Sequence, residues 1–164
     1  MSYERLAALF DGDIDAVSER EAAAADYVRL FIVTRDGVTA PLYASWYLDG
    51  ALLGPSKDWV EREYLAEGVA LADDAEQPAD YLPCELEYLY FLGRHERAAE
   101  LTSDEPALQA ARSAQRRFLE EHLLRWLSGF LRDARAAAPG PFYAAALDLL
   151  ERFTSEERAR LVND

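Results

Sequence analysis

An all-α fold is predicted for this 164-residue chain by three observations. Apolar residues recur at helical spacing along nearly the whole length. The alternating pattern of half-buried strands is scarce, and the single β-like run, Phe31-Ile32-Val33, closes a helical stretch. The ends of the periodic segments carry residues that start or stop helices. A single-domain helical bundle spanning residues 1–164 is expected.

Helices are expected over Tyr3 to Phe10 and Ile14 to Val33, the second with Tyr27, Leu30 and Phe31 as an apolar stripe and Ala22 to Ala25 as helix-favouring residues. Thr34 to Pro55 has several glycines and prolines and no period, so it reads as a long connection of the kind that often carries function. It bears Tyr43, Trp46 and Tyr47. Ser56 is the N-cap candidate for a helix from Ser56 to Glu67. Asp80 is expected to cap the next, Tyr81 to Ala99, with Pro83 tolerated in its first turn.

Ser103 is the N-cap candidate for a long helix from Asp104 to Ala138, a candidate for a break. Within it Phe118, His122, Trp126 and Phe130 form one i, i+4 row and Leu119, Leu123, Leu127 and Leu131 the adjacent row, a wide stripe that belongs in a core. Pro139-Gly140-Pro141 cannot continue a helix. Phe142 to Phe153 follows, then a short helix from Ser155 with Thr154 and Glu157 as its capping box.

A chain of this size buries roughly 68–70% of its unfolded surface and needs no staple. Cys84, the single cysteine, forms no intramolecular disulfide. No charged-then-apolar leader or long uncharged apolar run is found, so a soluble, cytoplasmic protein without stable membrane insertion is expected. A net charge of −14, with Lys57 the only lysine, disfavours nucleic acid. The same field would attract a cationic peptide, and it equally keeps a protein soluble.

Catalytic patterns are missing. Gly50-Ala51-Leu52-Leu53-Gly54-Pro55-Ser56-Lys57 fails as a phosphate loop: the glycines are one residue too close, and Pro55 removes an amide. His95 and His122 lack a Glu at i−3, and Cys84 stands alone, so no metal set and no required cofactor is expected. His95 reads as a solvated face, while His122 reads as a hydrogen-bonded core histidine or a ligand contact. Glu85 and Glu87 diverge on a helix, Glu85 being expected at the mouth of the preceding loop. Cys84, flanked by carboxylates, reads as a packed residue.

That loop, Glu76-Gln77-Pro78-Ala79-Asp80-Tyr81, is acidic and locally rigid, which suits either a capped helix start or a recognition element for cations. With Tyr27-Val28-Arg29-Leu30-Phe31, Pro41 to Gly50, Phe118 to Trp126 and Phe142 to Leu147, it resembles in order and spacing the TorD/DmsD/NarJ family, chaperones dedicated to molybdenum enzymes of the dimethyl-sulfoxide-reductase type. The resemblance covers about Tyr27 to Phe153. Tyr81 stands where the family usually has His, and the part before Tyr27 is shorter than the usual two helices.

The resemblance implies a cytoplasmic chaperone that binds the N-terminal twin-arginine signal or leader of a molybdopterin oxidoreductase catalytic subunit and assists folding, cofactor insertion and export timing. Molybdenum-cofactor biosynthesis proteins are further implied partners, and monomer and homodimer are both open. Tyr27, Leu30, Phe31, Tyr43, Ser45, Tyr47, Gly54, Pro78, Asp80 and Tyr81 occupy its motif positions. Asp80, Glu76, Glu85, Asp73 and Asp74 offer carboxylates for guanidinium groups, and the aromatics line a groove or pack in the core. A general helical adaptor and a nucleotide-hydrolysing enzyme stay open as other classes.

Overall fold

Proline and glycine set most of the helix boundaries. In the computed structural model, which describes residues 15–32, 37–71 and 75–163, the order is α1 (Asp15–Phe31), α2 (Ala44–Asp49), α3 (Pro55–Ala66), α4 (Leu82–Thr102), α5 (Glu105–Phe118), a π-helical turn (Leu119–Leu123), α6 (Leu124–Ala136) and α7 (Pro141–Asn163). Helices α3, α4, α5 and α7 each open with proline in the first two positions, where its missing N–H costs nothing. Among the described residues there is no strand, only an isolated antiparallel bridge between Tyr43 and Tyr81. The fold is all-α. The expected helix over Tyr3 to Phe10 lies outside the described residues, as do Asp73 and Asp74.

Several boundaries differ from expectation for local reasons. The connection from Thr34 to Pro55 contains α2, too short for a period to show in the sequence. Gly54, not Ser56, caps α3, because Pro55 itself supplies the first helical residue. Asp104 caps α5 by accepting the Ala107 N–H at 3.1 Å, and Ser103 instead ends α4 in the left-handed region. Thr154 and Glu157 form no capping box: Thr154 sits inside α7 and returns its hydroxyl to the Leu150 and Glu151 carbonyls.

The long helix is interrupted by the π-turn. All eight residues of its two predicted rows are buried. A strict i, i+4 row drifts by about 40° per step on a regular helix, or about 120° from Phe118 to Phe130. A wide turn placed between them takes out much of that drift.

The chain forms two compact units. The first comprises residues up to Pro41 together with Gly129–Ser155; the second comprises Leu42–Ser128 with Glu156–Asp164. In the first, Phe31 meets Phe130 (6.0 Å between ring centroids) and Tyr143 (5.2 Å), and the Arg29 guanidinium donates to the Ala137 carbonyl at 2.7 Å. Asp26 accepts from Arg29 and from the Gly140 N–H, which holds its carboxyl below the usual range. A Cβ on Gly140 would lie 2.6 Å from that carboxylate.

In the second unit Phe118, Leu119, Leu123, Trp126 and Leu127 fill the interior with Val60, Tyr64, Tyr88 and Leu92. The Glu96 carboxylate joins α4, α5 and the end of α7. It receives both terminal nitrogens of Arg160 (2.7 and 2.9 Å), Arg112 Nε (2.8 Å) and Gln115 Nε2 (2.8 Å). These donors outweigh the burial of Glu96 and hold its pKa down at about 2.

Candidate functional site

The second unit gathers most of the motif residues, and backbone pairing is what gathers them. Ala44 N–H donates to the Asp80 carbonyl at 3.0 Å and Leu82 N–H to the Leu42 carbonyl at 2.8 Å, so the connection before α2 is clipped to the loop before α4. Tyr64 adds a third tie, its hydroxyl donating to the Ala79 carbonyl at 3.0 Å. Burial pushes that phenol's pKa well up, so it stays a donor.

This pairing aims Asp80 away from solvent. Its carboxylate has no exposed surface, and Oδ2 accepts the Ser45 N–H at 2.9 Å. The expectation that Asp80 caps the following helix is therefore corrected: the α4 N-cap is Tyr81, without a side-chain cap bond, and Asp80 satisfies the second amide of α2 from 35 residues away. Its Oδ1, equally buried, has no hydrogen-bond partner among the described residues.

Ser45, also buried, passes the connection on. Its Oγ accepts the Leu53 N–H at 3.1 Å. Leu53 lies at φ +61°, a conformation costly for a branched side chain, and the residue is 65% exposed; Leu52 and Trp46 are exposed as well. Gly54 follows with ordinary φ, its hydrogen required by space: a Cβ there would lie 2.7 Å from Asp49 Cβ. Asp49 accepts from the Ser56 N–H and hydroxyl, both at 2.9 Å, and so supplies the side-chain acceptor for the start of α3 that Gly54 at the N-cap lacks.

Glu85 is likewise interior, which corrects its expected place at the loop mouth. Oε1 lies 2.7 Å from His122 Nε2, and Oε2 accepts the Trp126 Nε1–H at 3.2 Å. Burial raises its pKa against the opposing pull of His122. His122 is thus a hydrogen-bonded core histidine, stacked on Trp59 (centroids 5.0 Å apart, planes at 14°). Tyr47 stacks on Trp126 at 5.7 Å.

On the outer side, Tyr43 packs against Tyr81 (5.4 Å) and donates its hydroxyl to Gln77 Oε1 at 2.9 Å. Tyr43, Tyr47, Gly54, Pro78 and Tyr81 are half-buried, and Glu76 is exposed. Tyr27, Leu30 and Phe31 belong to the first unit, where Leu30 and Phe31 are core residues and Tyr27 is half-buried against Phe31 (5.6 Å). Half-buried Cys84 has its thiol pKa raised by burial and then by Glu87, which opposes thiolate chemistry.

Sequence reading missed Leu53, Asp49, Trp59 and Tyr64. A positive φ at leucine leaves no sequence mark. The acidic residue six before Pro55 was the one signal for the α3 cap.

The exposed part of this unit offers apolar side chains on a frame of buried carboxylates, an arrangement suited to holding a polypeptide. Among the described residues there is no group of three or more potential metal ligands, and no helix is long and apolar enough to cross a membrane. Comparison with known sequences agrees with the class: the family described as nitrate reductase delta subunit matches residues 2–132. The chain belongs to the TorD/NarJ-type family of redox enzyme maturation chaperones.

Its relatives include the chaperone protein TorD of Photobacterium profundum, 30% identical over 94% of this chain and 73% of the relative. The chaperone protein TorD of Vibrio cholerae is 32% identical over 82% of this chain and 60% of the relative. A perchlorate reductase assembly chaperone protein of Dechloromonas aromatica is 36% identical over 52% of this chain and 38% of that protein. The chain thus spans well under the full length of these relatives. A crystal structure of a redox enzyme maturation protein from Archaeoglobus fulgidus shares the fold, with a TM-score of 0.51 and 22% identity over 98% of this chain and 85% of that one. The relatives' names are those of chaperones and not of enzymes, which supports a non-enzymatic protein.

Proposed function

We propose that the protein is a maturation chaperone for the catalytic subunit of a molybdopterin oxidoreductase and that it binds the subunit's N-terminal leader before export. We read it as one cytoplasmic chaperone domain, with α6 and α7 each running through both units. The observation that carries the reading is the buried relay from Asp80 through Ser45 to Leu53, which fixes an exposed apolar projection on the unit that also carries the Tyr43–Tyr81 pair.

The relay assigns jobs by magnitude. Burying one leucine contributes roughly 1.5–3 kcal/mol, whereas an exposed carboxylate–arginine contact contributes roughly 0.2–1 kcal/mol. Micromolar affinity needs about 8 kcal/mol. Apolar contacts then hold the leader, and the exposed Glu76 with the general negative field selects its cations. Asp80 acts inside, as a positioning residue.

Co-purification from the native host with the bound protein identified by its N-terminus is the first test. Recovery of a molybdopterin subunit with its leader intact is expected; binding to subunits whose leader has been removed, with undiminished affinity, would defeat leader recognition. Titration with twin-arginine and twin-lysine leaders then separates the jobs. Glu76→Gln is expected to reduce the preference for arginine, and Tyr43→Ala to weaken both peptides alike.

A further inference from the structure

On the second unit, a recess of about 320 Å³ whose lining includes no residue of the loop at Glu76 to Tyr81 is formed by Trp59, His122, Arg62 and Arg125 together with Asp49 and Glu121, among others. Most arginines of this unit face carboxylates: Arg112 and Arg160 meet Glu96, Arg117 meets Glu63, and Arg116 and Arg158 meet Glu120. Arg62 and Arg125 do not. Among the described residues neither forms an ion pair, and the one side-chain hydrogen bond of Arg125 goes to the Glu121 carbonyl at 3.3 Å. In a chain of net charge −14, two unneutralised guanidinium groups on one recess are an exception that solubility does not explain.

A second observation comes from the inner wall. The His122 side chain is 3% exposed and lines the recess; Nε2 is committed to Glu85, while Nδ1 has no hydrogen-bond partner among the described residues. The carboxylate of Asp49 is already engaged by Ser56, so it leaves Glu121 as the single uncommitted acid against two arginines. Half-buried Trp59 supplies apolar surface beside them, suited to a methylene stem.

We propose that this recess binds the carboxylate of an acidic side chain carried by the client polypeptide. The guanidinium groups of Arg62 and Arg125 take the two oxygens, and the Nδ1 side of His122, held in place by Glu85 and Trp59, faces them. The inference rests on the chaperone reading above. Carboxylates are the oxyanions that an unmodified polypeptide carries, and they are what the rest of this acidic surface repels. The recess therefore marks where a client segment of the opposite polarity to the leader is accepted.

The test uses the full chain and a capped alanine pentapeptide with one central glutamate, followed by NMR at the Trp59 indole and the His122 imidazole. Saturable shifts are expected with this peptide, with at least tenfold weaker response to the same peptide carrying glutamine. Arg62→Gln with Arg125→Gln should abolish the shifts, and Arg62→Lys should retain part of them. Equal response to the glutamine peptide, or shifts that persist in the double variant, would overturn the proposal. So would saturation by inorganic phosphate alone. Co-purification of the client is scored separately: a wild-type protein that captures its client while the recess stays silent defeats this inference only, whereas failure to capture any molybdopterin subunit defeats the chaperone reading whatever the recess does.

Discussion

Leu53 pays a backbone cost that only its surroundings sustain. A left-handed leucine costs roughly 1–2 kcal/mol, and glycine at that position would remove this while adding roughly 0.5–1 kcal/mol of unfolded-chain freedom. Leu53→Gly is therefore expected to leave the melting free energy within about 1 kcal/mol of wild type. Leader affinity should nevertheless fall at least tenfold, because the exposed leucine contributes roughly 1.5–3 kcal/mol once buried. Calorimetric titration beside thermal melts checks both. Ser45→Ala should show the reverse balance of causes: it removes the acceptor of the Leu53 N–H and should cost roughly 0.5–1.5 kcal/mol of stability before any effect on binding is counted. A variant of Ser45 with unchanged melting would show that the relay holds nothing.

The clasp on Glu96 joins three helices through one carboxylate, and its protonation sets a definite acid limit. The folded pKa, about 2, lies below the ordinary 4.5, so the folded state favours the ionised form. Stability from this group is fully present above pH 4.5 and is lost as pH falls from there towards 2. The difference corresponds to roughly 3 kcal/mol at most. Urea midpoints of wild type and Glu96→Gln should therefore differ at pH 6 and converge towards pH 2. A constant gap across that window would mean that the clasp acts through packing.

The helices themselves were legible in the sequence, because the rows from Phe118 to Leu131 required burial whatever they packed against. The π-turn within them was legible only as a candidate break, since the row pattern survives it. The motif residues were legible as a set, but their directions were not. Asp80 and Glu85 sit where a capping or solvent-facing acid belongs by local rules, yet pairing between residues 42–44 and 80–82 turns Asp80 inward and His122 and Trp126 claim Glu85. Such long-range partners leave no local mark.

The negative charge is spread along the chain, so it acts at a distance more than through any one pair. Association with a twin-arginine leader is expected to slow several-fold between about 50 and 500 mM salt, while dissociation changes little. Stopped-flow at the two ionic strengths decides, and salt-independent association would leave the charge to solubility alone. Because α6 and α7 each contribute to both units, thermal unfolding is expected as a single calorimetric transition. Two separated peaks would divide the chain into independent domains.

The clasp also carries a clock. Glu96 and Arg160 are 64 residues apart in the chain. A ribosome adding about 5–20 residues per second delivers the guanidinium roughly 3–13 s after the carboxylate. Helices α4 and α5, near in sequence, can pair during that interval, with Arg112 already holding one oxygen of Glu96. The second unit cannot close fully until Arg160 arrives, so during its own synthesis this chaperone passes through a stage in which its interior acid faces water and its helices wait for the strand of chain that seals them.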